Sequence, residues 1–287
     1  MVVVGSFAAF ACGDGPSEDA DASVTDAGDG LDAFGPSDAG PTDGSVDLGP
    51  PPDLGPLAGS CVGSCGRTAP GRCRCDDACV GAGACCDDYE DAGCPFEAEL
   101  RAELAESQIR RSYDSGRDLM YGISGSVDVQ GGMIECVYTG TLVSADGTRT
   151  PGGSFNTEHV WPRSAGEPSG SAGDLYNLRP TLQEANTQRA SFEFGETVCE
   201  GAACAWNLGG SELGSDGGGQ AFQVRPQTQG DIARSMFYFA IRYAMDISPS
   251  EEAALRAWHA ADPPDAAELA RVDAVEAAQG NRNVIVD

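Results

Sequence analysis

The sequence predicts an α+β domain with few strands, headed by a small disulfide-rich knot and an acidic, unstructured linker. Three observations point to it. Eight of the 12 cysteines crowd between Cys61 and Cys94. Residues 13–58 carry eleven acids, no Arg and almost no large apolar side chain. From Phe96 onward, apolar residues recur at helical spacing more often than they alternate. The expected division is therefore 1–12, 13–58, 59–95 and 96–287.

Val2 to Ala11 is a short apolar run ending in Ala9-Phe10-Ala11-Cys12. It resembles the end of a bacterial lipoprotein signal, with Cys12 as the lipidated residue and hence a membrane tether. It has no positive n-region, and Ala9 stands where Leu is usual, so an ordinary secretory signal is the competing reading. Residues 13–58 cannot bury enough surface to offset chain entropy, and like charges and prolines keep such a chain extended. Its expected role is to hold the folded domains away from a membrane surface. No stretch approaches the ~20 apolar residues of a membrane span.

The cysteine module contains Cys61, Cys65, Cys73, Cys75, Cys79, Cys85, Cys86 and Cys94. So short a segment cannot build an adequate apolar core, so cross-links must carry it. Eight cysteines allow on the order of a hundred pairings, and spacing does not choose among them. Zinc is the other use of such a cluster, but no His lies nearby and the Cys85-Cys86 doublet does not fit a CxxC ligand pair. Cys73-Arg74-Cys75-Asp76-Asp77-Ala78-Cys79 and Cys85-Cys86-Asp87-Asp88-Tyr89 resemble the signature of a somatomedin B domain. The resemblance implies four disulfides and a compact knot that binds a protein partner. A stable spacer without a partner is the competing reading. Cysteine usage of this density belongs to an oxidising compartment.

Beyond the knot, Leu100 and Leu104 space a helix within Phe96–Ile109, and a second short one follows over Tyr113–Ile123. Ile134–Leu142 reads as a strand through Cys136, Val137 and Tyr138. A Gly-rich turn spans Thr150-Pro151-Gly152-Gly153. A helix is expected to begin after Pro180 and reach Arg189. Gly209–Gly219 reads as a loop. Asp231–Met245 is the most regular helix, with Ile232, Met236, Phe239 and Tyr243 three and four apart. Glu251–His259 and Ala266–Ala278 are further helices rich in Ala and Glu. Asp231 and Arg234 read best as an ion pair holding their helix, and His259 as a surface residue. Arg163 and Arg179 read equally as phosphate contacts or solvated charges. Cys199 and Cys204 flank a short loop and form a bridge, which leaves Cys136 without an evident partner.

The chain contains no Lys, and its formal net charge is -28. Such a surface does not capture nucleic acid by simple attraction. A nucleic-acid site here needs a local Arg patch and a divalent cation. One constellation offers that chemistry: Glu158-His159, followed by Asn186 and Arg189. His159 titrates near neutral pH and suits a general base. Glu158 and Asn186 are hard oxygen donors of the kind Mg²⁺ accepts. Arg189, three residues beyond Asn186, could fork onto a phosphate as Lys could not.

Glu158-His159-Val160-Trp161-Pro162, Gly173-Asp174-Leu175-Tyr176-Asn177-Leu178, Asn186-x-x-Arg189, Gly230-Asp231-Ile232-Ala233-Arg234 and Gln279-Gly280-Asn281-Arg282-Asn283 together resemble the endonuclease I family. The resemblance runs in order over about residues 105–287. It implies a ββα-metal (His-Me finger) fold with mostly helical surroundings. It further implies non-specific hydrolysis of DNA or RNA, a general base at His159 and Mg²⁺ on Glu158 and Asn186, giving 5′-phosphate products. Tyr176 stands where many relatives carry His, and Val284 follows Asn283 where Pro is frequent. A surface binding protein that uses the knot and retains an inactive nuclease fold is the reading from another class.

Overall fold

Short strands and longer helices follow from where apolar residues fall. The structure, a computed structural model, describes residues 61, 73–75, 78–92, 94–199 and 204–287. The expectations for the segment ending at Cys12, for the linker and for Cys65 lie outside the described residues.

In the knot, Cys61 bridges Cys75, Cys73 bridges Cys86 and Cys79 bridges Cys85. Among the described residues of the knot, α1 (Ala78–Ala82) is the one regular element, and the bridged cysteines and Tyr89 form the buried centre. Cys94, also disulfide-bonded, is the first residue of α2 (Cys94–Ala105).

Helix α3 (Tyr113–Met120) starts at Ser112, whose hydroxyl accepts from the Ser115 N–H and supplies the N-cap. Strands β1 (Met133–Glu135) and β2 (Leu142–Ser144) pair antiparallel. The single strand expected over Ile134–Leu142 is thus two strands and a turn. Gly140 takes φ +69° in that turn and donates its N–H to Cys136 O. Cys136, Val137 and Tyr138 are buried because the turn presses them into the core, not because they alternate along a ladder.

Strands β3 (Phe155–His159) and β4 (Leu178–Leu182) form the second antiparallel pair, and α4 (Gln183–Arg189) follows directly. The helix expected after Pro180 therefore begins only at Gln183. Strands β5 (Trp206–Leu208), β6 (Ser211–Ser215) and β7 (Gln220–Gln223) make a three-stranded meander. The Gly209–Gly219 segment read as a loop contains β6, because Leu213 packs inward while glycines serve the turns on either side. The Cys199–Cys204 bridge lies at this meander.

Helix α5 (Gln229–Tyr243) runs through the core and buries Ile232, Ala233, Met236, Phe239 and Ala240. It packs on α2 and on α6 (Pro249–Ala261), whose Leu255 and Trp258 are fully covered. Each such side chain contributes roughly 1.5–3 kcal/mol on burial. Asp265 caps α7 (Ala266–Gln279), accepting from the N–H groups of Ala267 and Glu268. Arg234 is fully buried and meets Glu268 at 2.5 Å, while Asp231 lies 3.6 Å away. The expected ion pair exists, but its main partner is on α7. His259 is exposed, as expected. No helix among the described residues is long and apolar enough to cross a membrane.

The loop between β3 and β4 hangs on Asp174, a carboxylate 2% exposed. Its Oδ1 accepts from Tyr176 N and Gln279 Nε2 at 3.1 and 2.9 Å. Its Oδ2 accepts from Gln108 Nε2, Tyr238 OH and Tyr243 OH at 2.9, 2.9 and 2.7 Å. Asp174→Ala leaves those donors without their acceptor in a dry interior. We expect a loss of about 3 kcal/mol or more in denaturant unfolding, from several unsatisfied donors at once.

Candidate active site

The β3–β4 ribbon carries every residue of the Glu-His constellation except the two on α4. Glu158 stands opposite Arg179 and His159 opposite Leu178. Consecutive strand residues leave a ribbon on opposite faces, and the contacts agree. Asn156 and Glu158 face α4, whereas Thr157 and His159 face α3 and the residues after it. The structure therefore brings Glu158, Asn186 and Arg189 together on one face. His159 is at the strand end on the other.

On the α4 face, Glu158 is 2% exposed. Its Oε1 accepts from Tyr138 OH at 2.8 Å and lies 3.3 Å from the Arg189 guanidinium. Burial pushes the carboxyl up to about 6, opposed by Arg189 and by the Tyr138 hydrogen bond. Among the described residues no hydrogen bond reaches Oε2. Asn186 donates from Nδ2 to Asn156 Oδ1 (2.7 Å) and to Thr157 O (3.2 Å). A backbone carbonyl can only accept, so the amide orientation is determined. Its Oδ1 is left with no donor among the described residues.

Arg189 corrects one expectation. It is 1% exposed, donates to Val160 O at 2.8 Å and lies over the Phe194 ring at 4.4 Å. A guanidinium so enclosed meets the carboxylate of Glu158 and not a phosphate from solvent. The exposed guanidinium close to His159 is Arg163, paired with Glu167 at 2.7 Å.

On the other face, His159 is half-buried and its Nε2 lies 3.3 Å from Ala172 O. The carbonyl accepts, so Nε2 carries the hydrogen and the neutral ring keeps its lone pair on Nδ1. Burial lowers the imidazole pKa, with the Arg163 charge adding to it. Tyr113 packs on the ring at 5.0 Å between centroids. Ala172 is held in place by its neighbour: a Cβ on Gly173 would collide with the carbonyls of Arg111 and Ser112. Asn177 closes the loop by accepting at Oδ1 from Trp161 N at 2.7 Å.

Tyr138, Asn156, Tyr113, Ala172 and Phe194 escaped the sequence reading. Asn156 alone had a signal, being two residues before Glu158 and so on the same face of a strand. Cys136 is an unbridged buried thiol, 3.5 Å from Thr181 Oγ1.

The donor set fits a hard divalent cation: one carboxylate oxygen and one amide oxygen, with waters to complete a shell. Among the described residues, groups of three or more classic ligand side chains occur only at Cys61-Cys75-Cys86 and Cys199-Cys204-Glu212. Both are built on bridged cysteines, which do not ligate metal.

Residues 95–287 match the endonuclease I family, and residues 59–95 match the somatomedin B domain. The extracellular ribonuclease of Bacillus subtilis (strain 168) is 30% identical over 156 residues, covering 47% of this chain and 51% of that protein. The extracellular ribonuclease of Bacillus amyloliquefaciens is 29% identical over 160 residues, 47% and 51%. The extracellular deoxyribonuclease of Aeromonas hydrophila is 28% identical over 121 residues, 40% and 49%. The chain spans about half the length of the curated relatives it matches.

Arg189→Met tests the buried pair. It leaves the Glu158 charge uncompensated, at an expected cost of about 3–5 kcal/mol at pH 8. The cost shrinks at pH 5, where the carboxyl takes up a proton. Denaturant unfolding at the two pH values measures the difference.

Proposed function

Because the chain belongs to the endonuclease I family and carries an N-terminal somatomedin B domain, we propose that it is an exported, Mg²⁺-dependent endonuclease. Its substrates are DNA or RNA, cut at phosphodiester bonds with low sequence specificity. One observation carries the reading: the Nε2–H of His159 is committed to Ala172 O, which leaves Nδ1 as a base. In the same strand, Glu158 shares a face with Asn186, and each has an oxygen without a donor among the described residues.

His159 takes a proton from the attacking water at Nδ1, and the lowered pKa keeps the ring neutral and ready at pH 7. Ala172 O steadies the imidazolium that forms. Glu158 and Asn186 would hold the cation at the end of β3, where the two faces of the ribbon meet, so that a phosphate bound across the strand end would touch both it and His159; the cation would supply charge neutralisation there. Arg189 and Tyr138 hold the Glu158 carboxylate in one orientation. Arg163, with its side chain 58% exposed, is the guanidinium that meets substrate phosphate. Contacts of this kind touch the backbone of nucleic acid and carry little sequence information.

Export is supported by the bridged cysteines and by relatives named as extracellular enzymes. A lipidated Cys12 would tether the enzyme to a membrane, and the somatomedin B domain would bind a protein partner at that surface. One observation favours the second reading, a binding protein with a silent nuclease fold: the Glu158 charge is already met by Arg189.

A plasmid-nicking assay separates the two readings. We expect cleavage with Mg²⁺ and none with EDTA; full-length plasmid after long incubation with Mg²⁺ would sink the enzyme. His159→Ala should lose about 10²–10⁴-fold in rate with its melting temperature retained. The pH dependence has a definite sign. Below the Glu158 pKa of about 6, a cation must displace a proton. Cation affinity is therefore flat above pH 6 and falls about tenfold per pH unit below it, as Mg²⁺ or Mn²⁺ titrations at pH 5, 6 and 7.5 would reveal.

A further inference from the structure

Two donors without an acceptor stand together beside the base. From Arg101 to Arg282, every guanidinium but one meets an acid, a backbone carbonyl or an amide oxygen. The exception is Arg110, which is exposed and has no ion pair or hydrogen bond among the described residues. That is unexpected of a cation in a chain with 45 acids. The hydroxyls of Tyr121, Tyr138, Tyr176, Tyr238 and Tyr243 each find an acceptor. The hydroxyl of the half-buried Tyr113, three residues after Arg110, finds none among the described residues.

An exposed donor can be satisfied by water alone, so placement decides what these two are for. Residues 110–113 run along the loop that holds His159. The Arg110 side chain lies on Gly170, where a Cβ would stand 2.7 Å from its Cδ and 3.1 Å from its Nε. The carbonyls of Arg111 and Ser112 lie on Gly173 in the same way. Between those glycines, Ala172 O takes the Nε2–H of His159, and the Tyr113 ring packs on the imidazole. Two residues of chain span at most about 7 Å, so Arg110 touches the loop a short reach from the carbonyl that orients the base. Arg163 is the guanidinium whose charge acts on the ring, and it is shared with Glu167. Arg110 has no such acid to answer, and its place along the loop suits a phosphate next to the one being cut.

We propose that Arg110 and Tyr113 form a phosphate subsite for the nucleic-acid strand, donating to the phosphates that flank the scissile one. A guanidinium and a phenol hydroxyl are both donors, and a phosphodiester is an acceptor that carries the opposite charge to the guanidinium. Contacts of this kind fix the position of the strand and read no base. The proposal deepens the nuclease reading and rests on it for its purpose.

Binding of a fluorescein-labelled single-stranded DNA oligonucleotide to the full chain, followed by anisotropy in EDTA at low salt, tests it without cleavage. Arg110→Ala should weaken binding about tenfold, as loss of a hydrogen bond to a charged group predicts. It should also lower the slope of log K against log salt by about 0.7. Arg110→Lys should restore the slope and only part of the affinity. Tyr113→Phe, which keeps the ring on His159, should weaken binding with the slope unchanged. Arg256→Ala, which removes an equal charge from α6, should change neither. An oligonucleotide with neutral methylphosphonate linkages should bind the wild type and Arg110→Ala alike. Wild-type affinity in Arg110→Ala or in Tyr113→Phe, an equal loss in Arg256→Ala, or no binding by the wild type overturns the proposal. Binding that depends on Arg110 in a chain that cuts no plasmid would support the subsite while refuting the enzyme.

Discussion

One buried carboxylate organises the endonuclease I domain. Asp174 gathers hydrogen bonds from the turn after α2, from two tyrosines of α5 and from the end of α7. These partners lie far apart in sequence, so the loop between β3 and β4 can close only when the helices have assembled around it. That loop carries Ala172 O, which orients His159, and Asn177, which ties the loop back to Trp161. The His159 ring is thus met by a loop carbonyl that is followed by Gly173, where a side chain would not fit, and by the anchored carboxylate of Asp174.

The second theme is how a chain without Lys spends its Arg residues. Arg189, Arg234 and Arg271 are all buried and each meets an acid. A guanidinium can satisfy a carboxylate and backbone carbonyls at once, as Arg271 does with Asp128, Leu175 O and Leu178 O. An ammonium, a point charge, could not span that set. Each of these guanidiniums takes an acid inside with it, so the chain's excess of 45 acids over 17 Arg stays outside the buried pairs. Among the exposed guanidiniums, Arg163 is close enough to His159 for its charge to act on the ring.

The order of motifs from Glu158 to Asn283 was legible as a family, and the alternation along a strand put Glu158 and His159 on different faces. The helices α2, α3, α5, α6 and α7 were legible too, since amphipathic periodicity is a local property. Strand boundaries were not. Cys136, Val137 and Tyr138 are as apolar as a strand demands, yet they form a turn because Gly140 reverses the chain there. Strand β6 was hidden among glycines that serve its neighbouring turns. Arg189 was assigned to substrate from its helical spacing alone, which says which residues share a face but not what that face meets.

By itself, the sequence determined the order of the family motifs, the helical periodicities, and a cysteine module too small to stand without cross-links. These are local quantities, set by side-chain chemistry and spacing within a few residues. Tertiary structure decided which cysteines pair among those described, that Arg189 braces Glu158, and that Tyr138 shares the acid with it. It also decided that His159 presents Nδ1 because a carbonyl thirteen residues away takes the other nitrogen. Each of these is a contact between segments far apart in the chain. Such contacts depend on how the elements pack, and no window of sequence contains both partners.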